Sequence, residues 1–307
     1  MKKVIIVSGP TATGKTSLAV QLAKKVKGEI VNFDSLLFYR ELNIGTAKPT
    51  PEEQDNIPHH LVGIRSIRDP MNAADFAREA FPVVESILQR NHPVFLVGGS
   101  GFYLQALVEG MWHSPTTPPE VMERSDALYS LYGIAPFLEE LRKCDPASLA
   151  RLHANDHYRV RRAVEHFWAQ GVPFSDAKDA FKSTAPDWDL LHIHLDIPRD
   201  EHQAIIRDRT MKMLSDGLIQ EVEGLLKQGF SGEEKPMLSI GYKEVLDWLN
   251  GVYGADAALL IERIVINTRR LAKSQRTWFK RKVRDSYDPR SDLATIEARV
   301  TEFISQA

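Results

Sequence analysis

Short unbroken apolar runs alternate along this chain with longer stretches in which apolar residues recur every three or four positions. Val4-Ile5-Ile6-Val7, Glu29-Ile30-Val31-Asn32-Phe33, His60-Leu61-Val62-Gly63-Ile64, Val94-Phe95-Leu96-Val97 and Leu190-Leu191-His192-Ile193-His194-Leu195 are the five runs. Their length and continuity predict strands buried on both faces, as in a parallel sheet covered by helices. The stretch from Ala73 to Gln89 carries the helical period and predicts an amphipathic helix. Together these elements predict an α/β fold, a doubly wound parallel sheet whose ligands gather at the strand C-termini.

Between the fourth and fifth runs the texture changes. Ser114-Pro115-Thr116-Thr117-Pro118-Pro119 breaks the chain, and a mostly helical stretch without a credible strand extends to about Ala180. Residues 112–186 therefore read as a helical insertion, with 1–111 and 187–307 forming the sheet core and its C-terminal helices. After the fifth run the pattern is helical to the end, interrupted near Gly229–Pro236 and Asn250–Gly254.

The first run leads directly into Gly9-Pro10-Thr11-Ala12-Thr13-Gly14-Lys15-Thr16, and a helix-prone stretch follows. This is the spacing of a phosphate-binding loop in the strand–loop–helix context it requires. Backbone N–H groups and the helix N-terminus favour an anion there, Lys15 adds a mobile positive charge, and Thr16 offers a hydroxyl to Mg2+. The motif specifies a diphosphate or triphosphate without saying which molecule carries it. The P-loop NTPase-like architecture follows from this context.

Two other strand ends converge on the same edge. Asp34 closes the second run, where a carboxylate suits three roles: holding magnesium, accepting a proton from a nucleophile, or capping a following helix. The fourth run ends in Val97-Gly98-Gly99-Ser100, with no metal-binding Asp of the kind many nucleotide hydrolases carry. Its glycines suit close backbone approach to a ligand, and the Ser100 hydroxyl suits a hydrogen bond to Asp34 or to substrate.

Charge adds a local signal. The 307 residues have a formal net charge of −2, with 43% hydrophobic and 26% charged residues, so no global field points to a polyanion. Yet Arg263–Arg284 contains nine basic residues and no acid, and Arg269, Lys273, Arg276, Lys280 and Arg284 step at helical spacing. An unneutralised stripe of this kind suits nucleic acid. Trp278 and Phe279 within it serve as core anchors or stacking platforms. A second basic run, Arg159, Arg161 and Arg162, suits either a solvated salt-bridged face or phosphates. Arg207 and Arg209 suit either the phosphate pocket or a simple surface role. The histidines form no metal constellation, and His192 and His194 read as structural.

The single cysteine, Cys144, excludes an intrachain disulfide and a cysteine-based zinc site. No apolar stretch reaches the roughly 18 residues of a membrane span. The first strand begins almost at once, leaving no room for a signal peptide. A cytoplasmic monomer is expected.

In order along the chain, these segments resemble the tRNA isopentenyltransferase (dimethylallyltransferase) family, which prenylates an adenine beside the anticodon. The resemblance rests on Gly9–Thr16, Asp34-Ser35 with Tyr39, Ile44-Gly45-Thr46-Ala47-Lys48-Pro49, and Gly98-Gly99-Ser100 with Tyr103. It continues through Asn155-Asp156 with Arg159, Arg162 and Glu165, then Ser239-Ile240-Gly241-Tyr242-Lys243, then Thr268-Arg269, Lys273, Gln275 and Trp278. Ser100 stands where many members have Thr, and Leu37 where many have Gln.

The resemblance implies that Gly9, Pro10, Thr11, Ala12, Thr13, Gly14, Lys15 and Thr16 hold dimethylallyl diphosphate, with Mg2+ on Thr16. It implies Asp34 as the base, Ser100 as the group that orients Asp34 or the amine, and Lys15 and Arg209 as partners of the leaving diphosphate. A tRNA anticodon stem-loop would contact Asp34, Ser35, Leu36, Leu37 and Ser100. It would also contact His157, Tyr158, Arg159, Val160 and Arg161, then Ser239, Ile240, Gly241, Tyr242 and Lys243, then Lys273, Arg276 and Lys280. The rival readings are an ATP-dependent small-molecule kinase, a non-catalytic RNA-binding or nucleotide-gated switch protein, and an enzyme prenylating free adenine nucleotides.

Overall fold

The computed structural model describes residues 2–111, 115, 117–180, 185–254 and 256–306. Trp112, where the insertion is expected to begin, and Ser114 and Thr116 of the break that opens it lie outside the described residues. The chain divides into two compact units, Met1–Val108 with Pro186–Ala307, and Glu109–Ala185.

In the first unit, chain order runs β1 (Lys3–Ser8), α1 (Lys15–Val26), β2 (Glu29–Asn32), α2 (Pro51–Gln54), β3 (His59–His60), α3 (Ala73–Gln89), β4 (Val94–Gly98) and α4 (Gly101–Val108). The second unit contributes α5 (Pro119–Tyr132), α6 (Ala135–Cys144), α7 (Pro146–Arg151), α8 (His157–Gln170) and α9 (Phe174–Asp179). The first unit resumes with β5 (Asp189–His194), α10 (Arg199–Ser215), α11 (Leu218–Lys227), a 3-10 turn at Lys235–Leu238, α12 (Tyr242–Leu249), α13 (Ala257–Phe279) and α14 (Leu293–Ser305).

The five strands form one parallel sheet in the order β3-β2-β4-β1-β5. Its period-two alternation assigns each side chain to a layer. Val4, Ile6, Val31 and Leu96 pack with Phe76, Ala80, Val84 and Ile87 of α3 and with Phe279. Ile5, Val7, Ile30, Phe95 and Ile193 pack on the other face with Leu18 and Leu22 of α1 and Ile296 and Val300 of α14. Both faces are covered, which is why the strands read as unbroken apolar runs. A third cluster joins Tyr39 and Leu42 to Leu218, Val222, Tyr242 and Leu260.

Two sequence expectations are corrected. The third strand is only His59–His60, because Leu61 turns the chain at φ 60 and its carbonyl accepts the Asn32 side-chain amide at 3.1 Å. The chain is also not helical throughout after β5. Between α13 and α14, Tyr287 forms a parallel bridge with Leu195, its N–H donating to His194 O at 2.9 Å.

The second unit is helical, and no strand occurs among its described residues. Phe137, Leu141, Val160, Ala163 and Val164 are its buried centre. Beside them the buried Glu165 carboxylate accepts Ser125 Oγ at 2.6 Å and Arg162 Nη1 at 3.0 Å.

Candidate active site

The loop after β1 has the geometry its glycines demand. A Cβ at Gly9 would sit 2.6 Å from the Leu195 carbonyl oxygen, and Gly14 adopts φ +79, a left-handed conformation that penalises other residues. Inside the loop, Thr13 Oγ1 donates to Pro10 O at 2.9 Å and Lys15 Nζ donates to the same oxygen at 2.7 Å. Arg209 reaches the loop from α10, its Nη1 donating to Thr11 Oγ1 at 3.2 Å. Arg207 instead pairs with Glu262 at 2.5 Å. One helix thus sends one arginine to the phosphate loop and the other away.

The electrostatics tie three groups together. Burial lowers the Lys15 ammonium to about 8, with the Asp34 carboxylate opposing the shift and the Arg209 guanidinium adding to it. Burial also lowers the Arg209 pKa, again opposed by Asp34. A carboxylate and two cations therefore share one field at the C-terminal edge of the sheet, and an anion entering it would meet two positive charges.

Asp34 follows β2 in a braced turn. Asn32 Oδ1 accepts the Asp34 N–H at 2.8 Å, and Asn32 Nδ2 donates to Asp34 O at 3.1 Å. Oδ1 of Asp34 accepts the Leu36 N–H at 3.2 Å, while Oδ2 has no hydrogen bond to a described residue. The helix-cap reading fails, since the next α-helix starts only at Pro51.

Ser100 departs from expectation. Its hydroxyl accepts the Ser35 N–H at 3.0 Å and donates to Ser35 Oγ at 3.2 Å, rather than bonding to Asp34. The parallel register of β2 and β4, with Asn32 opposite Val97, brings the two serines face to face. A Cβ on Gly98 would lie 2.7 Å from Asp34 N, so the glycine allows this approach.

Helix α13 braces the site through Gln275 and Trp278, which the resemblance singled out without a role. Gln275 Oε1 accepts the Thr11 N–H at 2.8 Å, and Gln275 Nε2 donates to Gly99 O at 3.1 Å. One turn further on, Trp278 covers Gly101, where a Cβ would fall 2.1 Å from the indole nitrogen. The available signal was a Gln and a Trp at i, i+3 in a chain whose fourth strand ends in three glycines within four residues.

Arg276 belongs to a second brace. Its Nε donates to Asp196 Oδ1 at 2.7 Å and its Nη2 donates to His202 Nδ1 at 2.7 Å. Since arginine only donates, Nδ1 is the acceptor and Nε2–H donates to Thr11 O at 2.8 Å. Burial lowers the His202 pKa, which keeps the imidazole neutral for this arrangement. Under the loop, Ser8 Oγ contacts both His192 Nε2 at 2.7 Å and His194 Nδ1 at 2.8 Å. Burial lowers each of these imidazoles to about 4, in keeping with structural histidines.

Several residues expected to face RNA are placed inside the protein. Tyr242 is fully buried against Gly45, with its hydroxyl donating to Glu221. Gly241 is buried with it, while Lys243 is exposed and ion-paired with Asp247, and Ser239 and Ile240 are half-buried. Glu221 also accepts the Ile44 N–H at 2.8 Å, and Lys48 Nζ donates to Tyr39 O at 2.6 Å, so the Ile44–Pro49 loop is a folded support.

In α8, Val160 is buried, His157 bonds the Tyr129 hydroxyl at 2.8 Å, and Arg161 stacks on Tyr129. Tyr158 and Arg159 point outward, Arg159 lying 3.4 Å from Asp156. Lys273 and Lys280 are exposed, whereas Arg276 is held in its brace. Among the described residues no cluster of three His, Cys, Asp or Glu side chains converges. Thr16 is half-buried beside Lys15, and its hydroxyl, with no hydrogen bond to a described residue, is the hard oxygen donor that fits Mg2+ shared with substrate phosphates.

Comparison with known proteins agrees with this fold. The family model described as IPP transferase matches residues 37–282. The chain is 42% identical over 278 residues to tRNA dimethylallyltransferase 1 of Trichlorobacter lovleyi, covering 91% of this chain and 90% of that protein. It is 40% identical to tRNA dimethylallyltransferase 2 of Geotalea uraniireducens, over 99% of this chain and 97% of that one. Among solved structures, the tRNA isopentenylpyrophosphate transferase of Bacillus halodurans superposes with a TM-score of 0.72 at 31% identity, covering 100% of this chain and 98% of that one. A eukaryotic dimethylallyltransferase acting on tRNA gives 0.77 at 29% identity, over 91% and 70%. With a P-loop NTPase-like sheet, a matching family model over most of its length and relatives at this identity, the chain belongs to the IPP transferase family.

Proposed function

We propose that this chain transfers a dimethylallyl group from dimethylallyl diphosphate to the exocyclic N6 amine of the adenine at tRNA position 37, 3′ of the anticodon, releasing diphosphate. The observation that carries the reading, beside family membership, is the shared field of Lys15, Arg209 and Asp34 at the phosphate loop. Two cations suit a departing diphosphate, and one carboxylate suits an amine that must lose a proton.

In this reading the amine nitrogen forms a bond to the allylic carbon while the carbon–oxygen bond to diphosphate breaks, its electron pair leaving with the diphosphate. The proton of the resulting ammonium passes to Asp34. The N6 lone pair is delocalised into the ring, so base assistance, typically about 10²–10⁴-fold, matters here. Lys15, Arg209 and the loop amides hold the leaving group. Magnesium, held by Thr16 and the diphosphate, would supply further neutralisation of that charge. Ser100 acts on Ser35, and so on the turn that carries Asp34, rather than on the carboxylate itself.

The adenine must leave its stack to reach the pocket, at a cost of a few kcal/mol that phosphate contacts and stacking offset. The exposed cations Lys273 and Lys280, and Tyr158 and Arg159 on unit Glu109–Ala185, are the residues assigned to those contacts. The test is incubation with labelled dimethylallyl diphosphate, ATP, unmodified tRNA and AMP. Label on the tRNA without ATP is expected. Phosphate transfer from ATP without prenylation, or label on AMP alone, overturns the reading.

A further inference from the structure

Asn32 ends β2 on the face that Ile30 occupies, two residues before Asp34, and is only 3% exposed. A polar side chain buried in a strand costs stability unless it is hydrogen-bonded. Every bond this one makes goes to backbone at or beside the base. Its Oδ1 accepts the Asp34 N–H at 2.8 Å, and its Nδ2 donates to Asp34 O and to Leu61 O, both at 3.1 Å. Phe33 still donates to the Val97 carbonyl of β4 at 2.9 Å, but from Asp34 onward side chains take over. The Asp34 N–H goes to Asn32, the Ser35 N–H to Ser100 Oγ at 3.0 Å, and the Leu36 N–H to Asp34 Oδ1 at 3.2 Å. A planar amide offers donor and acceptor together, as a peptide does, so Asn32 stands in for a strand partner at Asp34.

We propose that Asn32 is a positioning residue for the transfer, acting through Asp34 by holding both backbone polar groups of the base. The inference rests on the reading of Asp34 as the base and adds the group that aims it. The anchors of the turn differ in kind. Leu37 N–H, which also reaches Asp34 O at 3.3 Å, and Leu36 N–H belong to the turn and move with it. Asn32 is fixed by β2 and by the Leu61 carbonyl, and Ser100 follows β4, so the base is held from two strands. With Oδ1 tied to Leu36, Oδ2 is the oxygen left for the amine, and its place depends on where the turn sits. A misplacement of about 1 Å at a reacting group can cost about 10²-fold in rate.

The test uses three variants of the full chain. Asn32→Ala removes all three bonds, and Asn32→Ser keeps an acceptor for the Asp34 N–H. Asn32→Asp keeps the shape but sets a carboxylate oxygen against the carbonyls of Asp34 and Leu61. Single-turnover transfer at saturating dimethylallyl diphosphate and tRNA should fall about 10–10²-fold for Ala and Asp, and less for Ser. Donor KM and tRNA affinity should stay at parental values. The deciding measurement repeats Asn32→Ala and Asn32→Ser in an Asp34→Asn background, where each double variant should transfer at the rate of Asp34→Asn alone. Asn32→Ser, the milder change, carries the same cycle should Asn32→Ala fail to fold. An equal fold-loss in both backgrounds marks a merely structural residue and overturns the proposal. So does a loss confined to donor KM, or a parental rate in all three variants. Failure of the base reading shows separately, as an Asp34→Asn protein that transfers at the parental rate, and overturns both.

Discussion

Gln275 accepts the Thr11 backbone N–H at 2.8 Å across 264 residues of sequence. With its amide donating to Gly99 at 3.1 Å, it binds the phosphate loop to the end of β4. Gln275→Ala leaves one donor and one acceptor without their partner. It should lower unfolding free energy by about 1–3 kcal/mol and raise the donor KM. Urea denaturation and steady-state kinetics with dimethylallyl diphosphate check both effects.

Arg276 and Lys273 lie on one helix but should respond oppositely. Arg276 is held by Asp196 and, through His202, supports Thr11. Arg276→Ala should raise the donor KM and leave tRNA affinity at the parental value, whereas Lys273→Ala should reduce tRNA affinity. Gln presents a donor and an acceptor as neutral His does, so His202→Gln should retain more donor affinity than His202→Ala. Filter binding and donor kinetics on the four variants decide the matter.

Lys15 gives the pH dependence. Its ammonium is lowered to about 8 by burial, so it carries its charge below that pH and loses it above. The attraction for diphosphate is lost in the same direction, and kcat/KM for the donor, which reports the free enzyme, should fall as pH rises through about 8. Lys15→Arg keeps its charge to far higher pH and should abolish this alkaline limb. A profile from pH 6 to 10 for both proteins tests it.

Asp34→Asn should bind tRNA with parental affinity and lose turnover by about 10²–10⁴-fold, the usual worth of a general base. Single-turnover transfer with saturating donor is the measurement. Transfer at the parental rate would remove Asp34 from that role.

Tyr242 is buried and donates to Glu221, which also anchors Ile44. Tyr242→Phe should therefore destabilise the fold by about 1–3 kcal/mol with little change in tRNA affinity per folded molecule. Thermal melts alongside filter binding separate the two outcomes.

Local chemistry was enough to read the phosphate loop, Asp34 at its strand end, helix Ala73–Gln89 and the parallel sheet. Each is written in consecutive residues: an apolar run, a spacing of glycines, a periodicity. The family segments were equally legible, but their roles were not. The basic stripe makes Arg276 look like an RNA contact and the resemblance implies the same of Tyr242, because neither carries any mark of what lies opposite it. Their partners, Asp196 with His202 and Gly45 with Glu221, are distant in sequence, and only folding brings them within hydrogen-bond or van der Waals reach. The same holds for Ser100, which β-strand register delivers to Ser35. Residue type and spacing determined what chemistry was present. Packing between remote segments decided which groups face a substrate and which are committed to holding the loop.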